Sequence, residues 1–416
     1  MIKRIKLLWL DEDFFKPTGI IFSASALVNV LNFLYYFVMV RILDVKDYGL
    51  LASLVGIFTI ISLPVGVVQT VVARFTAEFN AKFEFEKVKS IFWFFFNRIL
   101  VFSIVFLAAF VLLGSSVSAY LKIDDSRIPL ILGGLFFLSF FQPLVLGCLQ
   151  GLNKFLGLAV NSIVNTLSKF ILGIFLVNLG FGVRGALLGF GASFLVSSLL
   201  GLKQLPKEMF APAVKTNIGL KGIFEFFLPT VIGLFCFASL IGMDVPLVRH
   251  FFSVDDTGLY SIAQLVGKIM FFLPSALMIV MFSKVASFHT QGKNTLRLLK
   301  KNLFFAAFLL GILGLFIYIF PSFSLKVLAR STNPAGIHLA RLFVIAMFFY
   351  SLVNILMTYF LSIKKFEFIY VLAVGTLAQF VLINILHNSL EGILYILCGV
   401  SIVLFISGLF ILRKDA

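Results

Sequence analysis

Three charged side chains of this sequence fall where charge is expensive. Lys169 and Lys268 lie about thirteen and about nine residues into long apolar runs, and Asp244 lies near the end of another. At about 1.5 Å per residue of helix, both ammonium groups are too deep to reach an interface comfortably if these runs cross a bilayer. A charge near the bilayer centre costs roughly 2.5–3.5 kcal/mol on insertion scales, so such groups face a bundle interior or a wet cavity. Two chemistries follow. The lysines can hold an anionic ligand, or Lys268 can close a purely structural ion pair with Asp244.

Polar neighbours accompany the charges at helical spacing. Asn161, Asn165 and Lys169 recur at i, i+4 and i+8, as do Ser25, Asn29, Asn32 and Tyr36 on an earlier run. Ser261, Gln264, Lys268 and Ser275 share a face, as do Ser351, Asn354 and Thr358. Converging stripes of this kind would line a water-accessible cavity, whereas single Asn and Ser residues commonly serve as hydrogen-bonding glue between helices. Pro64, Pro143, Pro229 and Pro274 also fall inside apolar runs. Proline removes a backbone donor and kinks a helix, so Pro64 and Pro274 are candidate hinges, with static kinks as the alternative.

The elements that position these residues are membrane spans. Charged residues make up 12% of the chain, about half the share of a soluble domain, and apolar runs near 20 residues recur from end to end. That length crosses the hydrocarbon core as a helix, which satisfies its own backbone in lipid. The sequence predicts an all-α polytopic membrane protein with about twelve transmembrane helices. Residues 1–17 form a cytoplasmic amphipathic amino terminus, too charged for a cleavable signal peptide. Residues 18–203 and 223–412 form two six-helix lobes, 204–222 a cytoplasmic linker and 413–416 a cytoplasmic tail.

The formal net charge of +16 does not mark a nucleic-acid binder, because Lys and Arg concentrate in short loops. With the amino terminus inside, about 22 of the 34 fall on the cytoplasmic side, about 9 outside and about 3 within spans. This is the asymmetry of the positive-inside rule, and it predicts both termini in the cytoplasm; the expected location is the cell membrane.

The halves repeat at an offset near 210 residues. Val40-Arg41 and Asp47-Tyr48-Gly49-Leu50 mirror Val248-Arg249 and Asp256-Thr257-Gly258-Leu259, and Pro64 corresponds to Pro274. Six spans per half put both halves into the membrane in the same direction, so the lobes are related by a pseudo-two-fold axis along the membrane normal. No P-loop, metal-ligand spacing or catalytic triad is present, and Cys148, Cys236 and Cys398 lie singly in apolar runs. The reading is therefore of a transporter, not an enzyme, with no cofactor and no metal.

Three stretches carry a family resemblance: Val40 to Gly49 leading through Pro64 to Arg74-Phe75-Thr76-Ala77-Glu78, then Leu149 to Phe155, and Met243-Asp244-Val245-Pro246-Leu247-Val248-Arg249 followed by Thr257-Gly258-Leu259-Tyr260. With them the chain resembles the polysaccharide flippase family of the multidrug/oligosaccharidyl-lipid/polysaccharide exporter superfamily. The resemblance implies a central cavity between the lobes and movement of lipid-linked oligosaccharide, a polyprenyl diphosphate, to the outer leaflet by alternating access. Lys169 and Lys268 are then the expected phosphate partners, with Arg41 and Arg249 near the outer mouth and Arg74 near the inner one. Asn29, Asn32 and Gln264 would bond sugar hydroxyls, and Asp244 would be an ion-coupling site or the counter-ion of Lys268. Expected partners are the lipid bilayer, a glycan polymerase and glycosyltransferases, around a monomer. The related lipid II flippases commonly have fourteen spans, which counts against them here. A drug- or organic-cation antiporter of the same superfamily and a non-transporting scaffold or polymerase subunit are the alternatives.

Overall fold

The computed structural model describes residues 12–211, 221–290, 295–329, 333–363 and 365–414, and no strand occurs among them. The first lobe contains α1 (Glu12–Ile42), α2 (Val45–Ala81), α3 (Phe85–Leu112), the short α4 (Gly114–Leu121), α5 (Arg127–Ser139), α6 (Gln142–Gly151), α7 (Phe155–Leu176) and α8 (Gly182–Gln204). The second contains α9 (Lys221–Gly242), α10 (Asp244–Phe251), α11 (Val254–Thr290), α12 (Leu296–Ile319), the short α13 (Pro321–Ala329), α14 (Pro334–Ser362), α15 (Glu367–Ile385) and α16 (Leu390–Lys414).

Twelve crossings result. Nine stretches of the described residues are long and apolar enough to span, and α9 with α10 forms a tenth, bent by 45°. One of the nine, Phe155–Gln204, is two crossings folded back on each other. The reversal falls at Gly180 and Gly182, whose φ of 89° and 53° lie in the left-handed region that a β-carbon disfavours. The returning helix lies so close that a Cβ on Gly189 would sit 2.4 Å from the Gly173 Cα. The remaining crossing is α11, a 37-residue helix over the expected eighth span.

Two departures from the sequence reading matter for the site. The seventh span, expected as one helix over 223–248, breaks at Met243. Pro246 has no N–H to give the carbonyl four residues back, so Asp244 opens a new helix instead of continuing the old one. The loops expected between spans three and four, and between nine and ten, fold into α4 and α13. They occupy equivalent places in the two lobes. Part of the expected linker, 212–220, lies outside the described residues.

Each lobe is a packed bundle in which α2 rests on α6, α1 on α7, and α11 and α16 on α14. The lobes meet along α2, which crosses α9 and α11. Small residues make that seam tight: a Cβ on Gly49 would lie 2.8 Å from the Gly258 nitrogen, and one on Gly56 2.5 Å from the Gly242 carbonyl oxygen. Away from the seam, α3 and α12 present large apolar side chains outward, among them Leu112, Phe304 and Leu315. In a bilayer they are the lipid face.

Candidate functional site

A cavity of about 440 Å³ lies between the lobes. Its wall runs along α2 from Tyr48 to Leu63, about 22 Å of helix. Asn32 and Tyr36 of α1, Lys169 of α7 and Phe190 of α8 close the first-lobe side, and Ile241, Gln264, Lys268 and Met347 close the other. The two intramembrane lysines, one from each lobe, therefore share one space.

Lys169 is 5% exposed. Its Nζ donates to Asn32 Oδ1 and lies 4.8 Å from the Tyr35 ring centre, 5.7 Å from Tyr36 and 4.9 Å from Phe190. Aromatic faces attract a desolvated cation, and Tyr35 is held in place by its hydroxyl on the Ala186 carbonyl at 3.4 Å. Among the described residues, no carboxylate forms an ion pair with this ammonium.

The second-lobe centre is different. Asp244 is fully buried, accepting from Gln264 Nε2 at 3.0 and 2.8 Å and from the Tyr260 hydroxyl at 3.2 Å. It also stands in the first turn of α10, where a helix favours negative charge. Lys268, one turn beyond Gln264, is within electrostatic reach of Asp244. Among the described residues, however, the two form no direct ion pair and Lys268 makes no hydrogen bond. Behind them Tyr350 donates to Gln379 Oε1 at 2.5 Å, and Gln379 Nε2 to the Leu240 carbonyl at 3.0 Å.

The other expected site residues fall elsewhere. Gln264 lines the cavity, but its amide nitrogen serves Asp244, which leaves Oε1 as the group available to a ligand. Arg41, Arg74 and Arg249 do not line the cavity. Arg41 stacks on Phe37 at 3.9 Å and donates to the Val327 and Leu328 carbonyls, Arg249 donates to three backbone carbonyls, and Arg74 stands exposed 5.9 Å from the Phe75 ring. Asn29 is half-buried on α1 outside the cavity wall. Pro64 lies within an unbroken α2; the Pro274 side chain is outside the described residues.

The α7 stripe divides by geometry. Residues four apart on a helix differ by about 40° around the axis, so Asn161 and Lys169 diverge by about 80°. Asn161 accepts from Ser197, and Asn165 donates to Ser193 at 3.5 Å. Both tie α7 to α8, while Lys169 faces the cavity. The sequence reading missed Tyr35, Tyr260, Tyr350 and Gln379. Tyr260 had a signal, lying four residues before Gln264 on the same helical face. The other three carry none distinct from ordinary core aromatics and amides. Among the described residues, no group of three His, Cys, Asp or Glu side chains could hold a metal ion.

The family model described as polysaccharide biosynthesis protein matches residues 14–244, more than half of the chain, and the chain belongs to that family. It is similar to an inward-facing multidrug resistance MATE family transporter of the MOP superfamily, with a TM-score of 0.70 and 16% identity over 94% of this chain and 95% of that one. It is similar also to the lipid II flippase MurJ in an inward closed conformation, with a TM-score of 0.71 and 14% identity over 94% and 87% of the two chains. A third likeness is to a MOP superfamily transporter from Pyrococcus furiosus, at 0.63 and 16% identity over 95% of each chain. At such identities the likeness is one of fold. No curated protein sequence matches the chain. Fold and family together define a multi-pass membrane protein of the polysaccharide biosynthesis family, with the two six-helix-lobe fold that those transporters share.

Proposed function

We propose that this protein moves a polyprenyl-diphosphate-linked oligosaccharide from the inner to the outer leaflet by alternating access. The observation that carries the proposal is the shared cavity of Lys169 and Lys268. Two ammonium groups against one carboxylate leave a net positive charge in a low-dielectric space, where charge interactions are strongest. That suits a diphosphate and repels an organic cation, which places the cation antiporter second. Hydroxyls of Tyr36, Tyr48 and Thr59 on the wall, with Asn32, offer partners for a sugar, and the polyprenyl tail stays in lipid. Asp244 tempers Lys268 or takes a coupling ion, and Pro64 and Pro274 serve as hinges.

With the amino terminus in the cytoplasm, outward movement of each negative charge gains about 2.3 kcal/mol per 100 mV of inside-negative potential. Glycosyltransferases would supply this substrate and a polymerase would consume it. The test is leaflet transfer of a fluorescent polyprenyl-diphosphate sugar by the purified protein in vesicles. Transfer should be lost when Lys169 and Lys268 are both changed to glutamine. Unchanged transfer in that variant would remove the lysines from the mechanism, and gradient-driven uptake of an organic cation instead would establish the antiporter.

A further inference from the structure

Arg41 and Arg249 make related contacts with the lobes exchanged. Arg41 stands in the last turn of α1, in the first lobe, and reaches the end of α13 in the second. Its Nε donates to the Leu328 carbonyl at 3.3 Å and its Nη2 to the Val327 carbonyl. Arg249 stands in the last turn of α10, in the second lobe, and reaches the end of α4 in the first. Its Nε donates to the Leu121 carbonyl at 2.8 Å and its Nη2 to the Lys122 carbonyl at 3.2 Å. Arg249 follows Arg41 by 208 positions and Leu328 follows Leu121 by 207, so the arginines and their Nε acceptors obey the internal repeat, while the Nη2 acceptor is the residue before Leu328 in one case and the residue after Leu121 in the other.

The acceptors explain why a helix of eight or nine residues stands at each place. The last carbonyls of a helix lack partners within it and carry the negative end of its dipole. A guanidinium, planar and weakly hydrated, can serve two such oxygens at once where an ammonium serves them as a point. Arg249, 3% exposed, also reaches the Lys46 carbonyl at 3.4 Å. Around it Lys122 Nζ donates to the Phe252 carbonyl at 2.6 Å, Lys46 meets Asp255 at 3.5 Å, and the Tyr120 and His250 rings stack at 4.0 Å. All of these bridge the lobes at the end of the bundle where Gly49 meets Gly258.

We propose that Arg41 and Arg249 are a paired latch that holds this end of the cavity shut, and that both must release before the cavity opens there. Separating the lobes at this end pulls α1 from α13 and α10 from α4, so neither latch can persist in the opposite arrangement. The proposal rests on the alternating-access reading only in requiring two arrangements of the lobes; it needs no particular substrate.

The test places spin labels on exposed Ser115 and Ser322, one in each lobe, in full-length protein whose native cysteines are changed to alanine. Distance distributions are read in lipid nanodiscs without substrate. R41A and R249A should each raise the ratio of the long-distance to the short-distance population about tenfold, and the double variant about a hundredfold. R41K and R249K, which keep the charge and lose the fork, should fall between. If the double variant fails to assemble, the two lysine variants carry the measurement. Distances unchanged in assembled variants would overturn the latch. Opened distances together with no transfer of any lipid-linked sugar would leave the latch standing and overturn the flippase reading.

Discussion

The two lobes bring the same ammonium group to the same cavity in opposite settings. Lys169 is wrapped by Tyr35, Tyr36 and Phe190 and bonded to the neutral Asn32, with no carboxylate among the described residues paired to it. Lys268 stands before Asp244, whose oxygens are taken by Gln264 and Tyr260. A ring face and an amide stabilise a cation without cancelling its charge, whereas a carboxylate subtracts from the field that a ligand feels. On the proposed reading, the first lobe supplies most of the attraction for an anion. The second supplies a charge that can be tuned by whatever happens at Asp244.

The largest effect should come from the uncompensated side. K169Q is expected to slow leaflet transfer of a lipid-linked sugar by at least about tenfold, the loss of roughly 1.4 kcal/mol of attraction. K169E should abolish it at normal protein levels. K268Q should slow transfer by only about threefold. Combining K268Q with D244N should recover part of that loss, because the net positive charge of the cavity returns. A double-mutant cycle on transfer rates isolates this coupling. Equal losses for the two lysines, or no coupling between Lys268 and Asp244, would break the asymmetry. Asn32→Leu, which leaves the Lys169 ammonium without its hydrogen bond, should act on stability. The expected cost is about 1–3 kcal/mol, read as a thermal midpoint lowered by roughly 1–3 °C.

The same contrast explains what could be read in the sequence. Spans were legible because a bilayer sets a length, and the twelve expected apolar runs correspond to twelve crossings. Lys169 and Lys268 were legible because intramembrane charge has few bland explanations. Arg41 and Arg249 were expected near a mouth, but their bonds to backbone carbonyls of the other lobe were not foreseen. A carbonyl acceptor leaves no mark in residue type, and α4 and α13, which present those carbonyls, are too short to announce themselves as spans. The partners of Asp244, read as either an ion-coupling site or the counter-ion of Lys268, are Gln264 and Tyr260, which were hidden for a similar reason. The break that Pro246 forces at Met243 turns Asp244 toward α11, and periodicity alone does not report a break.

The smallest effect tests whether the cavity ends where the geometry places it. Asn161 and Ser197 bond to each other between α7 and α8, only two turns from Lys169 but turned away from the ligand space. Removing both partners of such a bond strands neither of them and can be nearly neutral; the half-buried Gln142 amide, which also donates to Ser197 Oγ at 2.9 Å, loses one bond, and hydrogen bonds between membrane helices average only about 0.6 kcal/mol. The double variant N161A/S197A should therefore transfer lipid-linked sugar within about twofold of the parent, whereas S197A alone, which strands the Asn161 carbonyl, should cost more stability than the pair. A pair variant that lost transfer as K169Q does would mean that the polar stripe of α7 acts as one surface and that Lys169 is not set apart from its neighbours.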